Sequence, residues 1–235
     1  MKLFRTDYPL TPSFDLVGKS FALLRQNIWP AFYLIFLPGL IVGVGSTLMR
    51  HIVQPNSTII WDQQASVGLV VILVGAILSL LTTPAALVMQ LQAIRGKSPE
   101  ALDCFKIGIK RLLPLIVMII IMEFAIIGGF VLFIVPGLFL LRSFFLAQYY
   151  VVDQKLGPIQ ALKKSRADSL PNAGYIWGVI GLLIGFSMAS SFVSSIPAIG
   201  YILGLAVGLI FIFVPALRYE EIRTLKTTEP RKPTT

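Results

Sequence analysis

The side chains able to do chemistry are few, and the one that stands out is in an unfavourable solvent. Arg142 lies inside IVPGLFLLRSFFLAQYYVVD, residues 134–153, a stretch that otherwise suits hydrocarbon. A guanidinium cannot shed its proton in such a setting, so it needs a carboxylate, carbonyls or a wet cavity. The preceding apolar stretch offers one carboxylate, Glu123. Residues at equal depth in an antiparallel hairpin have a constant sum of numbers. With Leu112 opposite Asp153, Glu123 falls opposite Arg142. The sequence therefore predicts an intramembrane Glu123–Arg142 ion pair. Two roles are open to it: a fastener that holds the hairpin in register, or part of a path for a solute or proton. No further ionisable residue lies at mid-depth to continue a relay, which favours the fastener.

Other chemistries find no footing. His51 is the only histidine and Cys104 the only cysteine, too few for a metal site, a His-based triad or an internal disulfide. The chain has no Walker loop and no HExxH motif. Its serines and threonines lack a visible base, so we expect no catalytic residue, no metal, no cofactor and no enzymatic activity.

The elements that must position Arg142 follow from composition. Of the 235 residues, 56% are hydrophobic and 13% charged, with a mean hydropathy of +0.82. Soluble domains carry roughly 25% charged residues. Apolar runs long enough to cross a ~30 Å hydrocarbon core recur at 30–49, 67–94, 112–152, 173–193 and 197–217. The third is long enough for two crossings that turn near 129–136. The first twenty residues have no continuous apolar core and no cleavage site, so the first span itself is expected to target the chain.

Charge sorts the topology. Of the 20 Lys and Arg residues, 18 lie before the first span, in the segments 95–111 and 153–172, or after the last span. Arg50 is left outside and Arg142 within. Basic loops stay in the cytoplasm, so six spans with both termini cytoplasmic satisfy the sorting. The same rule explains the formal charge of +9 without a nucleic-acid partner. The predicted partners are membrane lipids, anionic on the cytoplasmic side, and a membrane protein whose identity the sequence does not give.

A repeat emerges from this layout. TPSFDLVGKSFALLRQNIW precedes the first span, SPEALDCFKIGIKRLLP the third and GPIQALKKSRADSLPN the fifth. Phe14, Val17, Phe21, Leu24 and Ile28 fall on one helical face, and Leu102, Phe105, Ile109 and Leu112 repeat that spacing. Thr11-Pro12 and Ser98-Pro99 read as an N-cap followed by proline at the first helical position. Lys164-Ser165 and Asn172 match Lys19-Ser20 and Asn27 at an offset of 145. The predicted fold is an all-α, six-span membrane protein, three units of a cytoplasmic amphipathic helix plus a transmembrane hairpin. It forms one integral membrane domain over 1–226, with units of about 11–94, 98–153 and 157–224, and a disordered cytoplasmic tail over 227–235.

Two residue classes would serve this fold. Gly200, Gly204 and Gly208, with Gly181, Gly185 and Ala189, form small-residue ladders that let helices approach closely. Lys19, Arg25, Lys106, Lys110, Arg111, Lys163 and Lys164 line the inner helices and are expected to meet lipid headgroups. Thr82-Thr83-Pro84 marks a kink inside the second span.

IVPGLFLLRSFFLAQYYVVD followed by GPIQALKKS resembles the signature of the glycerophosphodiester phosphodiesterase membrane domain. Related multi-pass proteins of bacteria share it. The matching positions are Pro136, Gly137, Arg142, Asp153, Gly157, Pro158, Ala161, Leu162 and Ser165. The resemblance implies a bacterial cytoplasmic-membrane domain that is sometimes fused to a catalytic barrel, and no such barrel fits within these 235 residues. The function this implies is a non-catalytic scaffold or accessory domain working with lipids or a membrane partner. The alternative is a transporter of a small solute or lipid that uses the Glu123/Arg142 region.

Overall fold

The apolar runs fold as helices, because hydrocarbon offers no water to satisfy backbone N–H and C=O groups and a helix satisfies them internally. The computed structural model describes residues 10–50, 63–193, 204 and 207–228, and no strand occurs among them. The chain opens with α1 (Ser13–Gln26) and α2 (Ile28–Ala31), then runs through a π-helical turn (Phe32–Phe36) into α3 (Leu37–Arg50). There follow α4 (Gln63–Ile94), α5 (Ala101–Ile109), α6 (Leu112–Leu132), α7 (Ile134–Phe144) and α8 (Ala147–Asp153). The remainder is α9 (Pro158–Ser169), α10 (Ala173–Val193), a helical stretch at 207–211 and α11 (Val214–Thr228).

Among the described residues four helices are long and apolar enough to cross a membrane: Ile28–Ser46, Val67–Ile94, Leu112–Leu132 and Ile134–Asp153. A fifth is counted if α9 and the start of α10, bent by 106° at their junction, form one broken span. These helices point to a multi-pass membrane protein. Of the sixth expected span, at 197–217, residues 197–203 and 205–206 lie outside the described residues.

Burial divides the bundle along its length. Residues 84–91 of α4 are all buried, as are Tyr149, Tyr150, Val151 and Val152 of α8 and Phe213 to Tyr219 around the start of α11, apart from half-buried Pro215. At the other end, Val67, Val70, Leu73, Val74 and Ile77 of α4 are exposed, and Val131 to Val135 at the tip of the α6–α7 hairpin are 70–82% exposed. So much bare aliphatic surface suits lipid rather than water.

Glycines set the close contacts. A Cβ on Gly45 would sit 2.9 Å from the Ile72 nitrogen, and one on Gly75 2.9 Å from the Val42 nitrogen, which locks α3 against α4. In the α6–α7 hairpin a Cβ on Gly129 would lie 3.0 Å from the Gly137 Cα. Gly108 of α5 rests on the α4 backbone at Pro84–Ala85.

The amphipathic helices form, each with one side turned to the protein. In α1 the side turned to the protein is Leu16, Ser20 and Leu24, while Phe14 and Phe21 are 81% and 54% exposed. In α5 it is Cys104 and Gly108, with Leu102 64% exposed. In α9 it is Ala161, Ser165 and Ser169, the small and polar face that its sequence predicts. Phe14, Phe21 and Leu102 therefore face away from the bundle, while Leu24, Val17 and Phe105 of the same stripes pack on it. Nor do Thr11 and Ser98 act as caps. Helix α1 begins at Ser13 after extended Pro12, and α5 at Ala101 after extended Glu100, without a side-chain cap bond. Pro158 does stand at the start of α9. Helix α11 extends through Thr228, beyond the predicted onset of disorder at 227, and residues 229–235 lie outside the described residues.

Candidate functional site

The hairpin register holds Arg142 and Glu123 near one depth, as the Gly129–Gly137 contact requires, but it does not bring them together. Arg142 is 9% exposed, whereas Glu123 is exposed, and no ion pair joins them. The reason is azimuth. The buried stripe of α6 is Leu115, Met118, Ile126 and Gly129, and at the helical turn per residue Glu123 points about 100° away from the centre of that stripe. Equal depth fixes height on the helix and says nothing of direction. Arg142 instead stacks on the Phe139 ring, 4.6 Å from its centroid, and its Nε and Nη2 atoms are buried without a hydrogen-bond partner.

Among the described residues nothing packs closely on the predicted glycine ladders. A Cβ on Gly181, Gly185 or Gly204 would meet nothing within 4 Å, and one on Gly208 only the edge of Phe186 at 4.0 Å. Gly181, Gly185 and Ala189 form an exposed stripe on α10. Gly200 lies outside the described residues. Among the predicted lipid contacts, Arg25, Lys110, Lys163 and Lys164 are exposed and Arg111 is half-buried. Lys106 pairs with Asp103 at 3.5 Å, and Lys19 lies 3.8 Å from Glu221 and donates to Thr11.

A polar lattice ties the helix ends together where α4, α8 and α11 meet. Arg95, just past α4, reaches Asp153 of α8 at 2.7 Å and Glu220 of α11 at 2.8 Å. Arg223 bridges the same two carboxylates at 3.6 and 2.8 Å. The Tyr219 hydroxyl donates to Asp153 at 2.9 Å, and its ring stacks on Tyr149 and meets Tyr150 edge-on. The hydrogen bond that Arg95 donates to Asp153 is the main influence holding its guanidinium above the ordinary pKa, so Arg95 stays charged throughout. Buried Asp168 accepts from the Tyr150 hydroxyl and from Lys226. Arg218, fully buried, donates to Glu221 and to the Thr11 carbonyl, both at 2.8 Å, and lies 5.4 Å from the Tyr175 ring. Apart from the buried Arg218 Nε, which has no hydrogen-bond partner, these groups pair with one another, which makes the lattice a clamp rather than a reactive centre.

Above the clamp is a cavity of about 610 Å3. Its walls come from the π-helical turn and α3, from α4, from α8 and α10, and from residues 208–215. Leu34, Leu183, Phe186 and Phe211 supply apolar surface, while Ser79, Thr82, Thr83, Gln90, Gln148 and Tyr149 supply hydroxyls and amides. Among the described residues no charged side chain lines it. Its backbone is irregular in three places. Pro84 interrupts the ladder of α4, and Thr82 and Thr83 turn their hydroxyls onto the Leu78 and Ser79 carbonyls beside it. The π turn lies opposite. Around the turn at 212–213, Ser20 of α1 donates to the Ile210 carbonyl and accepts from the Phe213 N–H, serving groups that a regular helix would satisfy.

Sequence reasoning singled out Thr82-Thr83-Pro84 in this cavity but not Gln90, Gln148 or Tyr149. The amides at 90 and 148 were the available signal, since each interrupts an otherwise apolar run. Among the described residues no group of His, Cys, Asp and Glu is arranged to hold a metal ion. No family model matches the chain, and neither does any curated protein or solved structure.

Proposed function

We propose that the chain is a non-catalytic membrane protein that engages lipid, a scaffold or accessory domain whose cavity holds one neutral amphiphile. The cavity carries this reading. Apolar walls suit a hydrocarbon chain, a few hydroxyls and amides suit an ester or alcohol, and a lining without charge disfavours an ion. The exposed cations on α1, α5 and α9 would rest on anionic headgroups of the inner leaflet, at about 1 kcal/mol for each near the surface.

The proposed setting is a bacterial cytoplasmic membrane, with six spans, both termini inside and three repeated units. Matching details support the repeat. The Asn27 amide donates to the Leu23 carbonyl and the Asn172 amide to the Asp168 carbonyl, at the same offset of 145. Ser20 and Ser165 are both fully buried and donate to carbonyls of neighbouring spans, Ile210 and Ser143. Gly108 holds the corresponding place in α5. The resemblance around Arg142 to the glycerophosphodiester phosphodiesterase membrane domain supports the same setting.

A photoreactive phenylalanine analogue at Phe186, in the cavity wall, tests the proposal. It should crosslink a copurified lipid, whereas crosslinking only to detergent or protein would overturn it. A transporter of a small solute or lipid is the second reading. The π turn, Pro84 and the turn at 212–213 favour it, because broken helices at a central cavity are what alternating-access proteins use. Proteoliposomes containing the protein should then exchange a fluorescent lipid between leaflets faster than empty ones.

A further inference from the structure

Among the described residues Arg142 is the one arginine with two buried guanidinium nitrogens lacking a partner, where Arg218 has a single one. Its Nε and Nη2 atoms lack partners, and their N–H bonds run parallel along one side of the group. That edge is the one which grips a carboxylate or phosphate with two hydrogen bonds. Among the described residues no carboxylate is available to it. Glu123 faces away, Asp168 is taken by Tyr150 and Lys226, and Asp153 by Arg95, Arg223 and Tyr219. A second guanidinium lies close by, since Arg166 of α9 approaches the same Phe139 ring at 5.9 Å. Two cations around one ring without a counter-charge form a site of strongly positive potential.

We propose that Arg142 and Arg166, flanking Phe139, bind the phosphate group of an anionic ligand, distinct from the neutral occupant of the cavity. Access comes from α9. This polar helix runs back along α7, with Ser165 donating to the Ser143 carbonyl at 2.8 Å and Arg166 reaching Phe139. Lys163, Lys164 and Arg166 are exposed along it and need water or headgroups. The headgroup zone therefore extends along this face to Phe139, itself 37% exposed, and Arg142 lies at its inner limit. A phosphate there supplies the missing counter-charge and uses the unpartnered edge. The phosphate group can belong to a phospholipid or be free in solution.

The full-length protein in detergent is titrated with phosphatidylglycerol, with phosphatidylcholine and with inorganic phosphate, and its melting midpoint is followed. Phosphatidylglycerol should raise the midpoint more than phosphatidylcholine does. Arg142→Lys, which keeps the charge but loses the two-pronged edge, should need on the order of tenfold more of it, as expected for a lost bidentate contact. Exposed Arg166→Gln should need roughly threefold more, and it decides the matter if Arg142→Lys fails to fold. If inorganic phosphate gives the same shift and competes with the lipid, the site takes free phosphate; if only the lipid acts, it takes a headgroup. Equal shifts with both lipids and none with phosphate would overturn the site. So would a Lys163→Gln/Lys164→Gln variant that loses as much as the arginine variants, because neither lysine lies over Phe139 and the effect would then be general surface charge. A Gly208→Leu change in the cavity should leave the titration unaltered.

Discussion

Replacing Gly108 by alanine probes how α5 is held. The new methyl would sit 2.5 Å from the Ala85 nitrogen and 2.8 Å from both the Ala85 Cα and the Pro84 carbonyl carbon. These are backbone atoms of α4, so no side-chain rotation relieves the contact, and the two helices must separate by most of an ångström. Overpacking of this kind costs about 1–3 kcal/mol, while alanine in place of a helical glycine returns about 0.5–1 kcal/mol. A net loss of about 1–2 kcal/mol corresponds to a melting midpoint lower by roughly 2–8 °C in a chain of this size. The assay is thermal unfolding in detergent, followed by tryptophan fluorescence. Gly181→Ala and Gly185→Ala are the controls, since a methyl at either meets nothing within 4 Å, and both should melt at or slightly above the wild-type midpoint. If Gly108→Ala melts with the wild type, or the α10 variants fall as far, the assignment of close contacts is refuted.

Asp153→Ala removes the bonds to Arg95 and Tyr219 and the ion pair to Arg223, so denaturant titration should show a loss of about 3 kcal/mol. Asp103→Ala, which breaks an exposed pair with Lys106, should change stability by less than about 0.5 kcal/mol. Burial, and secondarily Asp103, pushes the Cys104 thiol up to about 11; its iodoacetamide rate should therefore rise tenfold per pH unit well past pH 9, and a plateau near 9 would contradict the burial. Ser20→Ala orphans the Ile210 carbonyl and Phe213 N–H and should cost about 1–3 kcal/mol in thermal unfolding. Glu123→Gln should leave the midpoint within about 1 °C of wild type, because Glu123 is exposed and unpaired; a large fall would restore the ion pair with Arg142.

What the sequence made legible was extent and depth, and what it concealed was direction. Apolar length located the helices, and the constant-sum rule put Glu123 and Arg142 at nearly one height. Only the packed bundle sets rotation about each axis, and there Glu123 faces outward. The stripe of α1 shows the same limit. Phe14 and Phe21 are apolar as predicted, but a membrane protein has two apolar surroundings, lipid and its own interior, and periodicity does not tell them apart. Here Ser20 faces the protein because the irregular turn at 212–213 needs its hydroxyl. The ladder of Gly181 and Gly185 marks a surface that permits close approach, yet whether a helix occupies it depends on residues elsewhere. The cavity was least visible of all, since Leu34, Thr83, Gln148 and Phe186 lie far apart in sequence and only the tertiary fold brings them to one space.

Native mass spectrometry of the full-length protein released from detergent tests the central claim, that the cavity holds a neutral amphiphile. The wild type should carry one bound neutral lipid per chain. Gly208→Leu fills part of the cavity where a Cβ meets only Phe186 at 4.0 Å, and it should fly without the adduct while keeping its helical content. A wild type free of neutral lipid, or an adduct equally abundant on a folded Gly208→Leu variant, would contradict the account.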